Sequence, residues 1–265
     1  MSSSPKAKFA PRRPRPPSAL TEAEKRAFAF AEEVGGLAVG IVDAAIAEID
    51  FEGAGDPKAY GLALLCRSIS NFQGALAMAR LDQAVESRTL VRSCFENLFL
   101  VDQLLQDGAG FLKTMRSHEA WGRISLGEVL LKNRVADSPH IQTIRGLIKS
   151  ERAEFPRRNK LAVSETAKGD MGRFYSDYAM LSHDAAHPSI TALKRHFRTD
   201  HNRRLTMDIV PPFKPSERLM TLDLACDALF GACIHVSMLL GRTSQDDALV
   251  ALWERFADQG LHAAR

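Results

Sequence analysis

The sequence feature that most constrains the fold is a helical periodicity that continues from Asp56 to Gln106. Apolar residues recur at every third or fourth position along this stretch, without the alternation that is typical of a β-strand. Asp56 is a favourable N-cap, and Pro57 suits the first helical position. One helix of this length would be unusual in a globular protein. We therefore predict two consecutive helices with a break between Arg80 and Asp82.

The same pattern fills most of the remaining chain. Thr21 and Glu24 form a capping-box sequence that begins a first helix ending at about Ile49. Only Met207 to Val210 has the character of a strand. We predict a single all-α bundle of seven to eight helices over residues 19–265. The later helices are expected at about Gly108 to Lys132, His140 to Arg152, Met171 to His187, Ser216 to Leu240 and Asp246 to Asp258.

The first 18 residues differ in composition from the rest of the chain. They hold five prolines and five basic residues without an acidic one. Such a segment cannot bury enough apolar surface to offset the entropy of ordering, so residues 1–18 are predicted to be a flexible, polyproline-like arm. Removing these five positive charges from the net charge of +3 leaves −2 for the body. The arm is either an inert leader or an electrostatic contact for nucleic acid or another partner.

Cysteine usage and hydropathy bear on the cellular compartment. The four cysteines, Cys66, Cys94, Cys226 and Cys233, lie far apart in apolar helical runs without Cys-x-x-Cys spacing, which is typical of reduced thiols. The longest apolar run, Ala228 to Leu240, is shorter than the roughly 18 residues that a membrane-spanning helix needs. We expect a cytoplasmic protein without a membrane partner. A homo-oligomer is compatible with the sequence.

A polar stripe runs along the predicted third helix. Arg88, Arg92 and Glu96 are spaced by four residues and therefore share a face, although apolar residues surround them. A buried guanidinium and carboxylate must pair, because desolvation of either one alone is very costly. The stripe is either a salt bridge that fixes helix packing or the lining of an anion pocket. If Glu96 pairs with a buried Arg92, Glu96→Ala should cost about 3–5 kcal/mol of stability.

The predicted sixth helix carries a second group of polar residues near its end. Pro188 should end this helix at His187, where the helix dipole favours a protonated imidazole. Such a histidine serves either as a cap or as part of a functional pocket, and we favour the second role for His187. The residues of this group are Tyr178, Ser182, His183, Asp184 and His187.

Three of these residues suggest a metal site as an alternative. His183, Asp184 and His187 are similar to the central motif of HD-type metal phosphohydrolases, in which a His-Asp pair binds a divalent ion. That family also needs an upstream histidine and a downstream aspartate, and no candidate here has a matching local context. The same residues mimic the His-Glu-x-x-His zinc-protease motif, but the shorter Asp and the expected helix end argue against it.

A basic run follows the proline. A charge run of this kind is either a solvated face or a contact surface for nucleic acid or another anionic ligand. Its residues include Lys194, Arg195, Arg198, Arg203 and Arg204, with Asp200 as the only acid nearby.

The chain resembles bacterial domain-of-unknown-function family 5677. The resemblance rests on Arg92-Ser-Cys-Phe-Glu96, on Leu-Leu-Gln-Asp at 104–107 and on Tyr178-x-x-x-Ser182 followed by His187-Pro-Ser189, and it covers about Asp56 to Leu252. It implies an all-α fold without an established activity. It also implies a shared pocket formed by Arg92, Glu96, Tyr178, Ser182 and His187, whereas His183 and Asp184 are not part of the pattern.

These observations predict one polar pocket between the third and sixth helices. Arg92 or Glu96 should lie within hydrogen-bond distance of Tyr178, Ser182 or His187, since two buried polar stripes satisfy each other best when they meet. Three function classes remain open, and with them the question of enzymatic activity. They are a binding module for an anionic small molecule or nucleic acid, a metal-dependent HD-like hydrolase, and a structural protein whose pocket residues serve packing. Only the hydrolase needs a cofactor, a divalent metal.

Overall fold

The computed structural model describes residues 17–53, 55–133, 138–159, 161–167, 169–183, 189–199 and 205–258. The protein is 79% helical, with ten α-helices and one two-stranded sheet among the described residues. The predicted all-α bundle is therefore confirmed. The number of helices exceeds the seven to eight expected because two of them, α6 and α8, are too short to show a helical period in the sequence.

The elements follow one another in a simple order, and a single 3₁₀ turn at Gly169–Met171 precedes the seventh α-helix. The helices and strands are α1 (Glu22–Glu48), α2 (Pro57–Arg80), α3 (Ala84–Gln106), α4 (Gly108–Lys132), α5 (Ser138–Glu154), α6 (Val163–Thr166), α7 (Gly172–Leu181), α8 (Ile190–Lys194), β1 (Phe197–Thr199), β2 (Leu205–Met207), α9 (Pro215–Leu240) and α10 (Asp246–Asp258).

The predicted caps of α1 and α2 and the predicted break before α3 are all present in the structure. The Thr21 hydroxyl accepts a hydrogen bond from the Glu24 backbone, and the Glu24 carboxylate accepts one from the Thr21 backbone at 2.7 Å. Asp56 caps α2 through the Lys58 backbone amide. The predicted break between α2 and α3 is confirmed, and it turns at Asp82, whose φ of 58° is uncommon for a residue other than glycine.

Helix α9 lies at the centre of the bundle and packs against α1, α2 and α3. Its apolar residues are spread around the whole helix, as expected for a helix that is surrounded by protein, and a few charged residues interrupt them. Among the described helices it is the one long and apolar enough to cross a membrane, which the sequence analysis missed. Because 78% of its most apolar window is buried within the bundle, this composition fits a core helix.

An ion cluster lies beside the first turn of α9, and we call it the Arg218 cluster. The Arg218 side chain is 1% exposed, and its guanidinium binds the carboxylates of Glu24 on α1 and Asp82 in the α2–α3 turn. Ser18 completes the cluster, since its hydroxyl accepts from Arg218 at 3.1 Å and its backbone donates to Asp82 at 2.6 Å. Burial raises the pKa of Glu24, but hydrogen bonds from Thr21 and Arg218 outweigh burial and lower it overall.

Two predicted elements near the candidate site differ from the structure. The α-helical part of α7 ends at Leu181, Ser182 and His183 continue it as a wider π turn, and the predicted helix end at His187 lies outside the described residues. The Ser189 hydroxyl donates to the His183 carbonyl at 2.7 Å. The strand expected at Met207 to Val210 is instead the second half of a short hairpin, in which Phe197 pairs with Met207.

Candidate functional site

Arg92 on α3 is the centre of a hydrogen-bonded group that joins α3 to α7. Its Nε donates to the Ser182 hydroxyl at 2.9 Å, and its Nη2 donates to the Tyr178 hydroxyl at 2.8 Å. Nη2 also lies 2.7 Å from the carboxylate of Glu96, which accepts from the Tyr178 hydroxyl at 3.3 Å. The prediction that the two polar stripes meet is thereby confirmed for these four residues, which we call the Arg92 cluster.

Aromatic packing holds the Arg92 cluster together. Tyr178 packs edge-on against Phe99 with ring centroids 5.9 Å apart, and Phe174, one turn earlier on α7, packs on Phe95 at 6.0 Å. These contacts bury the face of α7 that bears Tyr178 and turn its hydroxyl toward α3. The Arg92 guanidinium also lies 4.9 Å from the centre of the Tyr178 ring.

The contacts of the Arg92 cluster are mostly internal. The Arg92 and Glu96 side chains are 20% and 31% exposed, so they are half-buried and less enclosed than the sequence indicated. The guanidinium already donates to two hydroxyls and pairs with a carboxylate, so its Nε and Nη2 both have partners within the protein. The arrangement joins two helices. A ligand role for these residues stays a prediction.

Arg88, on the same stripe, faces a different neighbour. Its side chain is 4% exposed, and its Nη1 lies 3.4 Å from the carboxylate of Glu217 in the first turn of α9. The Arg195 guanidinium binds the same carboxylate oxygen of Glu217. A cavity of about 460 Å³, which we call the inner cavity, opens here, and its lining includes Arg88, Met180, His183, Ser189, Arg195 and Glu217.

A second concavity adjoins the inner cavity, since Arg195 and Glu217 line both. Its volume is about 650 Å³, and we call it the basic groove. Helix α8 and β1 form one wall, and the segment before α9 forms the other. The groove is lined by Lys194, Arg195, Phe197, Arg198, Pro211, Pro212, Lys214 and Glu217.

Positive charge exceeds negative charge in the basic groove. Four of its lining residues are basic, and Glu217 is the single acidic one. Arg195 pairs with Glu217, and Arg198 pairs with Asp208 behind the groove. Lys194 and Lys214 are exposed, and no carboxylate from the described parts of the chain lies within ion-pair distance of either. The groove therefore presents uncompensated positive charge to solvent.

Several predicted site residues lie outside the described residues. These are Asp184, His187, Arg203 and Arg204, so neither the metal site nor the far half of the basic run is tested. His183 is exposed and lines the inner cavity. Over the described ranges, no group of three or more histidine, cysteine or acidic side chains is placed to hold a metal ion. The HD-like alternative stays a prediction.

Sequence reasoning missed four residues that matter here. Lys214 and Glu217 lie in and just after a proline-rich segment that gave no helical or charge pattern, and only the fold brings them to α8. Arg218 had a usable signal, since a lone arginine in the first turn of an otherwise apolar helix must find a buried anion. Phe197 was passed over because it lies within a run that was considered only for its charge.

Comparison with known proteins identifies a family. No curated protein and no solved structure matches the chain. A family model described as a family of unknown function, DUF5677, matches residues 58–204, which is slightly more than half the chain. The match includes the Arg92 cluster and begins where the resemblance was expected to begin, but it stops before α9. The chain belongs to the family of unknown function DUF5677.

Proposed function

We propose that this protein binds a phosphate-bearing anion in the basic groove. The observation that carries the proposal is the groove's lining of four basic side chains against one carboxylate. A concave site with excess positive charge concentrates anions, since low-dielectric walls focus the field. Lysine and arginine are also the side chains from which phosphate sites are most often built.

The four basic side chains divide into fixed and adaptable groups. Arg195 and Arg198 are half-buried, and their carboxylate partners Glu217 and Asp208 hold them in defined positions. Lys194 and Lys214 are exposed on opposite walls and carry mobile ammonium groups. A phosphate between the walls would meet one oriented guanidinium and two ammonium groups, which suits a ligand that carries more than one charge.

The inner cavity supplies room beyond the phosphate. Its lining combines the apolar side chains of Met180 and Met220 with the polar groups of His183 and Ser189. Because Arg195 and Glu217 line both concavities, the groove and the inner cavity are neighbours, and a ligand whose phosphate lies in the groove can place its remaining part in the cavity. A mixed lining of this kind is typical of small-molecule sites.

Titration calorimetry with inorganic tripolyphosphate tests the proposal. We expect binding at low ionic strength that weakens as salt is added, and loss of binding in the double variant Lys194→Ala/Lys214→Ala. The matched control is Lys113→Ala/Lys132→Ala, which removes the same charge from exposed positions on α4. The proposal fails if tripolyphosphate does not bind, or if both double variants lose binding equally.

A further inference from the structure

We infer that the anion is single-stranded nucleic acid, with phosphates along the basic groove and one base stacked on Phe197. This inference rests on the proposed function and names its ligand class. The observation behind it is an aromatic side chain within a basic concavity. Phe197 is 42% exposed and lines the groove together with Lys194, Arg195 and Arg198. Exposed aromatic rings beside basic groups are how proteins bind single strands without sequence preference.

The hairpin fixes the backbone that carries the Phe197 ring. Phe197 pairs with Met207 across the two strands, and the hairpin continues at its base, where the Asp208 amide donates to the His196 carbonyl at 2.9 Å. The His196 ring nitrogen Nδ1 lies 2.9 Å from the Asp208 carbonyl oxygen. An aromatic ring on a fixed backbone loses little conformational freedom when a base stacks on it, so exposure at this position favours binding.

The groove places an aromatic ring and positive charge side by side. Phe197 and Arg198 are neighbours on β1, and both line the groove. Arg198 is fixed by Asp208, while Phe197 stays open to the groove. Lys194 lies three residues earlier, on α8. A phosphate can therefore be held beside the ring without occupying the ring's own face.

The geometry favours a single strand over a duplex. A base can stack on Phe197 only if its face is unpaired and unstacked, and a duplex hides those faces within its own stack. Helix α8 in the groove wall has five residues and is too short to read a major groove, and α9 contributes only the Glu217 carboxylate from its first turn. The ligand is therefore a flexible strand that follows the groove.

Other occupants fit the charge and shape less well. A second copy of the chain, docked through the same surface by two-fold symmetry, would bring like charges together. A bilayer surface is flat, whereas Phe197 lies in the wall of a concavity. The exposed aliphatic side chains of Ile190 and Leu193 on α8 do not line the groove. Anionic vesicles are nonetheless an arm of the test.

The test is fluorescence anisotropy with labelled oligothymidine and oligouridine of about ten nucleotides, which is within the range that a single binding surface covers. We expect both strands to bind and a duplex of equal length to bind much more weakly. Phe197→Ala should weaken strand binding about tenfold, the effect of losing one base–aromatic stack. Tripolyphosphate affinity should stay the same in this variant, and Phe197→Trp should retain strand binding.

Met207→Ala is the matched control, because Met207 lies opposite Phe197 and is also 42% exposed. It should leave strand binding unchanged, and thermal melts of each variant check that the hairpin remains folded. The inference is wrong if Phe197→Ala and Met207→Ala behave alike, if the duplex binds as well as the strands, or if anionic vesicles bind and the strands do not. In those cases tripolyphosphate binding still supports the proposed function; loss of tripolyphosphate binding as well would refute both.

Discussion

The Arg218 cluster and the basic groove use the same kind of side chain in opposite ways. In the cluster, one fully buried guanidinium meets two carboxylates and a hydroxyl, all from other parts of the chain. In the groove, four basic side chains face one lining carboxylate and open to water. The two sites lie close together along α9, since Glu217 belongs to one and Arg218 to the other. Their neighbours, not their residue types, distinguish them.

The comparison shows how a structural cation differs from a binding cation. Burial forces a charge to be matched within the protein, because an unmatched charge costs several kcal/mol. Exposure removes that requirement, so an excess of charge can be left for a ligand at little cost in stability. Substitutions should therefore divide between effects on unfolding at the cluster and effects on ligand binding at the groove.

The largest expected effect on stability is at Arg218. Arg218→Ala strands the carboxylates of Glu24 and Asp82 beside α9, so the free energy of unfolding should fall by about 3–5 kcal/mol. Urea denaturation followed by circular dichroism measures it. If the variant does not fold at all, Arg218→Lys, which keeps the charge, should recover a folded protein of intermediate stability. If the free energy of unfolding fell by less than about 1 kcal/mol, the cluster would contribute no more than an exposed ion pair does. The contrast with the groove would then be wrong.

An intermediate effect is expected at the Arg92 cluster. Because Glu96 is 31% exposed, and because Arg92 keeps its hydrogen bonds to Tyr178 and Ser182, Glu96→Ala should cost about 1–2 kcal/mol. This is less than the value expected from the sequence, which assumed full burial. A loss as large as that of Arg218→Ala would show that solvent does not reach the pair.

A smaller effect on stability is expected at the N-terminus, where it differs between the arm and Ser18. Of the predicted arm, residues 1–18, the first 16 lie outside the described residues, whereas Ser18 binds both Asp82 and Arg218 and so belongs to the folded body. Deletion of residues 1–16 should leave the melting temperature unchanged, whereas Ser18→Ala should lower the stability by about 1 kcal/mol through lost hydrogen bonds. Differential scanning calorimetry compares the two variants. If both variants melted at the same temperature, Ser18 would not contribute to the stability of the Arg218 cluster.

His235 on α9 gives a pH-dependent effect of about 1 kcal/mol or less. Burial lowers the pKa of His235, but contacts with Asp102 at 3.4 Å and the Gly231 carbonyl at 2.7 Å outweigh burial and raise it overall. The stabilisation is therefore complete below pH 6.5, the group's ordinary pKa, and is lost as the pH rises through the higher folded-state pKa. The stability difference between wild type and His235→Gln should shrink as the pH rises above about 6.5. A constant difference would contradict this.

The smallest effect on stability is expected in the groove. Lys194→Ala and Lys214→Ala should each change the free energy of unfolding by less than about 0.5 kcal/mol, because both side chains are exposed. In a plot of the logarithm of strand affinity against the logarithm of salt concentration, each substitution should also reduce the steepness of the slope by about one. This is the change expected for the loss of one phosphate contact. A destabilisation above 1 kcal/mol would mean that the groove lysines are structural after all.

Much of the fold could be predicted because the signals are local. The break near Asp82 followed from the length of the periodic stretch, and the start of α1 from the capping box at Thr21. The meeting of Arg92 with Tyr178 and Ser182 followed from two polar stripes that each needed a partner. In these cases the structure depends only on neighbouring residues or on one pair of helices, so the sequence pattern was sufficient to predict it.

The groove could not be predicted because its parts are distant in sequence. Nothing in the four-residue spacing shows that Arg88 turns to α9 while Arg92 turns to α7, since this depends on where each helix packs. Lys214 reaches α8 only after the chain has passed through the β1–β2 hairpin and the proline-rich segment before α9.

The central position of α9 has a consequence for the time course of folding. It is the last of the four central helices to be synthesised, and Arg218 lies 194 positions after its partner Glu24. Until α9 leaves the ribosome, α1, α2 and α3 have no surface on which to complete their packing, and Glu24 and Asp82 lack their cation. Completion of the bundle is thus a late step with high contact order. A nascent chain that ends within the matched segment 58–204 should remain a substrate for chaperones.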